Sequence, residues 1–166
     1  KVHKVNLFLT FCLISLIVIP LIYLRGLEGS KLYIMAGLSV AGLSTLNYFI
    51  PINEKVKSLL FALLPLTAIF TLFFLDKYAL NKHYILFFTI IMIGLYFDKQ
   101  LILIFSIIIN VYILILYITI PATFLGPEHN LPLFITVYSV IIGALAALYF
   151  LTDVGKKLLF HLSYNE

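Results

Sequence analysis

Uncharged polar side chains lie deep inside long apolar stretches of this sequence, and they are its strongest candidates for a binding site. Asn110 falls at the centre of one apolar run, with Tyr112 two residues later, and Tyr138 and Ser139 lie inside another run. Amide and hydroxyl groups that converge in an apolar cavity are typical of a small-molecule site. We therefore predict a ligand pocket lined by these four residues. The competing interpretation is that they only form hydrogen bonds between helices.

Ionisable side chains avoid the centres of the apolar runs. Ionisable groups inside a membrane mark proton relays, ion paths and voltage sensors, so their distribution argues against a proton-coupled carrier. The histidines His3, His83, His129 and His161 lie far apart in connectors or tails, without metal-ligand spacing, and we expect solvated surface residues. No protease or hydrolase motif occurs in the sequence. We predict no catalytic residue, no metal, no cofactor and no enzymatic activity.

Long apolar helices must position these polar residues, because the chain has the composition of a polytopic membrane protein. Of its 166 residues, 63% are hydrophobic and 11% are charged, against about 45–50% and about 25% in soluble domains. This balance argues against a soluble enzyme and against a disordered tail. Six runs are predicted to cross the membrane as helices: Val5–Leu24, Leu32–Ile50, Ser58–Leu75, Tyr84–Phe97, Leu101–Ile120 and Leu133–Leu151.

The fourth run is short for a membrane span. It holds 14 residues from Tyr84 to Phe97, whereas a spanning helix needs about 20. It reaches 19 residues if the helix opens at Ala79, with Lys82 and His83 lifting their polar ends towards the lipid headgroups. A re-entrant segment is the alternative.

Lys and Arg are divided unevenly between the two sets of connectors. If the N-terminus lies inside, the inner segments hold Lys1, Lys4, Lys55, Lys57, Lys99, Lys156 and Lys157. The outer segments hold Arg25, Lys31, Lys77 and Lys82. Cytoplasmic segments carry the excess of basic residues, so we predict an all-α, multi-pass bundle in the cell membrane with both termini in the cytoplasm. Residues 1–151 form the six-helix transmembrane domain and residues 152–166 a cytoplasmic helical extension.

Small residues at a spacing of four predict close helix contacts in two of the runs. Gly37 and Ala41 form one such pair, and Gly143 and Ala147 continue a ridge that starts at Ser139. Small side chains let helix backbones approach closely, either inside the bundle or between the protomers of a homodimer.

The last run continues past its apolar end without a helix breaker. Thr152, Gly155, Lys156 and Lys157 follow it, and Val154 and Leu158 keep helical spacing. We predict that these first four residues form the exit through which a signal leaves the membrane region. A frayed amphipathic anchor is the competing interpretation.

Three stretches of the sequence carry a resemblance to a known family: Gly94–Phe105 followed by Asn110, Tyr149–Thr152 followed by Gly155–Lys157, and Ile19–Tyr23. They resemble the six-helix membrane region of some Gram-positive bacterial receptors, chiefly methyl-accepting chemotaxis proteins. The resemblance implies a sensory or anchoring input module that precedes a long cytoplasmic coiled coil. This chain departs from the family by ending at Glu166 without an output domain. We expect a cytoplasmic signalling domain or partner outside these residues to read the signal.

The sequence therefore predicts the sensory input module of a bacterial signalling receptor, with the lipid bilayer as its surroundings. Two alternatives from other classes stay open. A small transporter for an uncharged or lipophilic substrate would show flux in liposomes, and a structural membrane subunit would co-purify with a defined partner. The basic residues form no stripe, so no nucleic-acid partner is expected.

Overall fold

A computed structural model describes residues 1–165, and they form helices without strands. In chain order the helices are α1 Val2–Gly29, α2 Lys31–Phe49, α3 Glu54–Leu75, α4 Asn81–Gly94, α5 Lys99–Thr119, α6 Pro121–Leu125 and α7 Leu131–Asn165. The predicted all-α class is confirmed. Five of the described helices, namely α1, α2, α3, α5 and α7, are long and apolar enough to cross a membrane, which indicates a membrane protein. Glu166, the last residue of the predicted extension, lies outside the described residues.

The fourth run folds differently from its predicted bounds. α4 has 14 residues and is about 21 Å long, less than the roughly 30 Å of a hydrocarbon core. It ends at Gly94, because Tyr96 lies in a turn and Phe97 adopts a positive φ of 49°. The Asp98 side chain then caps the first turn of α5. α4 is therefore not among the five candidate spans, and the chain turns three residues earlier than the hydropathy predicts.

Consecutive long helices run in opposite directions, as contacts between their ends demonstrate. At one end, here called the His3 end, Glu54 at the start of α3 contacts His3 of α1. At the opposite end, here called the Asp76 end, Tyr33 near the start of α2 donates a hydrogen bond to Asp76, which follows α3. α4 leads back from the Asp76 end to the His3 end. α5 begins beside the start of α3, where Lys55 lies 3.8 Å from Asp98.

α3 is the central helix of the bundle. It contacts α1, α2, α4, α5 and α6, and its Phe61, Leu66 and Phe73 side chains are fully buried. The short helix α6 covers the Asp76 end, where the Phe124 ring packs 5.2 Å from the Phe73 ring. Lipid is as apolar as these side chains, so close packing rather than escape from water favours their association.

The predicted small-residue contacts lie in two different surroundings. Gly37 is buried at the contact between α1 and α2, where an added Cβ would lie 2.9 Å from Cγ2 of Ile14. Ala41, one turn later, is partly buried. On α7, Gly143 and Ala147 are exposed, and within residues 1–165 no side chain approaches a Cβ built on Gly143. The ridge on α7 therefore faces away from its own bundle.

Candidate functional site

Asn110 and Tyr112 lie on opposite faces of α5. The Tyr112 Oη is 3.2 Å from the Thr67 Oγ1, and its ring packs 4.6 Å from the Phe70 ring of α3. Asn110 instead faces α7. Two residues along an α-helix point about 200° apart, and this periodicity was already a signal in the sequence that one pocket does not hold both side chains.

Tyr138 and Ser139 also lie away from Asn110. The Tyr138 ring packs against Phe134 of its own helix, with their centroids 5.5 Å apart. Ser139 is exposed on the outer surface of α7. The structure therefore separates the four residues that were predicted to share a pocket, and Asn110 lines a crevice to which Tyr112, Tyr138 and Ser139 do not contribute.

A crevice of about 310 Å³ lies between α5 and α7, and we call it the Asn110 crevice. α5 contributes Ile102, Leu103, Ser106 and Asn110, and α7 contributes Ala146, Tyr149 and Phe150 to its walls. It opens on the side of the bundle, where Leu103 and Phe150 are exposed. Its volume is at the lower end of the range for ligand pockets, about 300–1,000 Å³.

The side-chain amide of Asn110 makes one hydrogen bond within the described part of the chain. Its Nδ2 donates to the backbone oxygen of Ser106 at 2.7 Å. Because a carbonyl oxygen only accepts, Nδ2 must face it, and Oδ1 is left as a free acceptor. This Oδ1 is buried and has no partner within residues 1–165. A buried acceptor without a partner costs about 1–3 kcal/mol.

The turn between α4 and α5 contacts α7 next to the crevice. The Phe97 ring packs so closely on Gly155 that a Cβ there would lie 2.9 Å from the ring. The Lys99 Nζ forms an ion pair with Asp153 and also lies 5.2 Å from the centroid of the Tyr149 ring. Tyr149 is itself a wall of the crevice. The crevice and this contact are therefore continuous.

The predicted exit residues lie in or beside this contact. Thr152 is buried, and its Oγ1 has no hydrogen-bond partner in the described part of the chain. Gly155 receives the Phe97 ring, and Lys157 reaches back to Asp153 at 3.3 Å. Lys156 is exposed.

A polar cluster at the His3 end was missed by the sequence analysis. His3 Nε2 lies 2.6 Å from Glu54 Oε2, and His3 Nδ1 lies 2.9 Å from Tyr96 Oη. The fully buried Asn6 donates to the backbone oxygen of Met92 at 3.2 Å. The prediction of a solvated His3 is wrong, since its side chain is only 16% exposed. Its partners are distant in sequence, so no local pattern could have paired them.

A second buried cluster lies at the Asp76 end. The Lys82 Nζ is 3.3 Å from Asp76 Oδ2, the same oxygen that accepts the Tyr33 hydrogen bond at 2.6 Å. Lys82 is fully buried and His83 is 8% exposed, so the predictions that they extend towards headgroups or solvent are wrong. The His83 ring packs between Phe73 and Phe124 instead. His129 and His161 are exposed, as expected.

Asp76 lies between α3 and α4, outside the candidate spans. Burial acts to raise the pKa of its carboxyl group, but three favourable partners outweigh burial. The Tyr33 hydroxyl, the backbone N–H of Lys77 and the Lys82 ammonium together hold the pKa of Asp76 below its ordinary value. The carboxylate is thus the charged centre that joins α2, α3 and α4 at this end.

No family model, curated protein or solved structure matches the chain. Within residues 1–165 there is no group of three or more His, Cys, Asp or Glu side chains that could hold a metal ion.

Proposed function

We propose that this chain is the transmembrane sensory module of a bacterial signalling receptor similar to chemotaxis receptors. Six helices cross the cell membrane with both ends in the cytoplasm, and α7 carries the signal to a cytoplasmic domain or partner. The site that receives the stimulus lies in the bundle, beside α7.

The length of α7 is the observation that carries this proposal. Its 35 residues extend over about 52 Å, well beyond the roughly 30 Å of a hydrocarbon core. Beyond Gly155 the helix exposes Leu158, Phe160 and Leu162. A single helix joins the bundle to this projecting segment, so any shift of α7 within the bundle also moves the segment that a partner would contact.

The distribution of basic residues supports the proposed orientation. Lys55, Lys57 and Lys99 belong to the His3 end, towards which α7 also runs. Because cytoplasmic segments carry the excess of basic residues, this grouping supports a cytoplasmic location for the His3 end. α4 supplies the sixth crossing despite its length, because a short helix can be accommodated by local thinning of the bilayer.

In this proposal, the contact between the α4–α5 turn and α7 is formed in one arrangement of the switch and released in the other. A stimulus shifts the balance between two packings only if it binds one of them better. The Phe97 contact with Gly155 and the Lys99 ion pair lie between the crevice and the projecting segment. A change in the distance between α5 and α7 at the crevice would therefore also alter this contact, and through it the position of the projecting segment.

A reporter fusion tests the sensory role. A dimeric kinase reporter is joined after α7, and its output is compared between the whole chain, Phe97→Ala and Phe49→Ala. Phe97→Ala is expected to change the output several-fold, because it removes the ring that holds α7. Phe49→Ala is the control, since Phe49 is 74% exposed at the same end of the bundle.

A second fusion replaces α1–α5 with an inert anchor. Unchanged signalling in that fusion, together with no effect of Phe97→Ala, would contradict the sensory role. Substrate flux in liposomes would then favour the transporter, and a stable co-purifying partner would favour the structural subunit.

A further inference from the structure

We propose that His3 is a proton-controlled latch that regulates the contact between the α4–α5 turn and α7. When its imidazole ring is protonated, His3 holds α1, the start of α3 and the α4–α5 turn together. When the ring loses its proton, this link weakens and the turn is free to shift against α7. The inference concerns the regulation of the proposed sensory module and rests on the proposed function for its output, whereas the latch itself rests on the contacts of His3.

The side chain of His3 joins three elements of the fold through its two ring nitrogens. Nε2 lies 2.6 Å from Glu54 Oε2 at the start of α3, and Nδ1 lies 2.9 Å from the Tyr96 hydroxyl in the α4–α5 turn. The ring also stacks on the fully buried Phe61 of α3, with the two centroids 5.4 Å apart. Both nitrogens have partners on other elements, so a change in the charge of the ring acts on α3 and on the turn at once.

The two protonation states of the ring use these hydrogen bonds differently. Because a carboxylate only accepts, Nε2 carries the proton of the neutral ring, and Nδ1 then accepts from the Tyr96 hydroxyl. In the protonated ring both nitrogens donate, so the Glu54 contact becomes an ion pair and Tyr96 must direct its own proton elsewhere. The Asn6 and Ser58 side chains are close to the Tyr96 hydroxyl and carry oxygens that can accept this proton. Protonation therefore strengthens the link to α3 and reverses the hydrogen bond to the turn.

Glu54 is the charged side chain in contact with His3, and it leaves the site open to water. Its side chain is 77% exposed, against 16% for His3. A glutamate ordinarily has a pKa of about 4.3, so the charge of Glu54 is constant over the range of about pH 5 to 8 in which histidine titrates. The other charged groups close to this site are the amino group of Lys1, Lys57 and the Lys55–Asp98 pair. A pH change in this range therefore acts on the link between α1 and α3 through His3.

Tyr96 connects the latch to α7, because the next residue, Phe97, packs on Gly155. A Cβ added at Gly155 would lie 2.9 Å from the Phe97 ring. Phe97 has a positive φ of 49°, a conformation that persists where surrounding contacts hold it. The bond between His3 and the Tyr96 hydroxyl is one such contact, on the N-terminal side of Phe97. A change at His3 therefore alters the turn at the point where the turn meets α7.

Titration of the full chain in phosphatidylcholine nanodiscs tests the proposal. The chain carries isotope-labelled histidine and glycine, and NMR spectra are recorded between about pH 5 and 8. The His3 and Gly155 signals are assigned from their loss in His3→Gln and Gly155→Ala. Both signals are expected to titrate with the same midpoint, and His3→Gln should abolish the titration of Gly155. His161→Gln is the control and should leave that titration unchanged, because His161 is exposed on α7 beyond Gly155.

Two variants separate the two hydrogen bonds of the latch. Glu54→Gln keeps an acceptor for Nε2 but removes the charge, so the His3 midpoint should fall by about one pH unit, and the Gly155 midpoint should fall with it. Glu128→Gln, at an exposed position, is its control and should leave both midpoints unchanged. Tyr96→Phe keeps the Glu54 contact but removes the hydroxyl, so His3 should still titrate while Gly155 no longer follows it.

Three results would overturn the proposal: a His3 ring that does not titrate in this range, a Gly155 signal that does not follow His3, or a Gly155 titration that survives Tyr96→Phe. A Gly155 signal that follows His3, together with a reporter fusion that responds neither to pH nor to Phe97→Ala, would support the latch and contradict the sensory role. A reporter that responds to Phe97→Ala, with a Gly155 signal that does not follow His3, would contradict the latch alone.

Discussion

The Phe97 ring packs against the backbone of Gly155, which joins the α4–α5 turn to α7 where that helix leaves the bundle. Phe97 is also the one non-glycine residue with positive φ among residues 1–165. Such backbone conformations are costly for residues with a Cβ and persist where surrounding contacts hold them. A strained turn at Phe97 therefore packs against α7 at Gly155, which has no Cβ.

Gly155→Ala should loosen this contact. The added Cβ would lie 2.9 Å from the Phe97 ring, and overpacking of this kind costs about 1–3 kcal/mol. Gly143→Ala is the control, because the described chain leaves open space there and alanine gains about 1 kcal/mol of helix propensity. The same propensity gain at Gly155 offsets part of the overpacking, so thermal unfolding in detergent should give a lower Tm for Gly155→Ala than for Gly143→Ala. Equal effects would argue against a close contact at Phe97.

Asp76 should make stability depend on pH at the acidic end. Its folded-state pKa lies below its ordinary value of 3.8, so its contribution is fully present above that value and is lost as pH falls through the folded-state pKa. Asp76→Asn should lose this acid-sensitive component. Glu128→Gln, at an exposed position, should retain it. Unfolding followed by circular dichroism between about pH 2 and 6 would measure the difference; an unchanged profile for Asp76→Asn would contradict the assignment.

Asn110 and Asn6 should respond differently to replacement by leucine. Both Oδ1 atoms lack a partner in the described part of the chain, but the bonds made by Nδ2 differ. Asn110→Leu removes a bond within α5, to the Ser106 carbonyl, so the stability change should stay within about 1 kcal/mol. Asn6→Leu removes the bond that joins α1 to the Met92 carbonyl of α4 at a fully buried position, and it should cost about 1–3 kcal/mol. Chemical denaturation of both variants would compare the two costs. A large loss for Asn110→Leu would assign Asn110 to helix packing rather than to binding.

The exposed ridge on α7 should form the contact of the expected homodimer. In a Cys12→Ala background, Ser139→Cys should give disulfide-linked dimers on mild oxidation in membranes, because small residues permit close helix approach. Thr119→Cys, exposed on α5, serves as the control and should stay monomeric. Gel electrophoresis without reductant gives the readout, and equal crosslinking at both positions would indicate random collision.

Hydropathy predicted the long helices well, because lipid leaves the backbone no alternative to a helix over a continuous apolar run. The run Leu101–Ile120, for example, corresponds to α5 from Lys99 to Thr119. Hydropathy did not predict the end of α4, since the positive φ of Phe97 depends on tertiary contacts. Nor did it pair His3 with Glu54, 51 residues away, because such pairing depends on the arrangement of the whole bundle.

The candidate site was only partly predictable. Asn110 was found because a lone amide in an apolar run is conspicuous, and its separation from Tyr112 follows from helical periodicity. The crevice itself depends on how far α5 and α7 stand apart, which no local pattern encodes. The burial of Lys82 was missed because hydropathy assigns a lysine at the end of a run to the membrane surface, without regard to Asp76 nearby.

The Asn110 crevice opens sideways between α5 and α7, whereas α6 covers the Asp76 end of the bundle. A molecule that reaches Asn110 by this route arrives from the acyl chains and not from the water. Its occupancy then follows its concentration within the bilayer, which is its aqueous concentration multiplied by its partition coefficient. Two molecules with the same intrinsic affinity for the crevice would therefore differ in apparent affinity by the ratio of their partition coefficients.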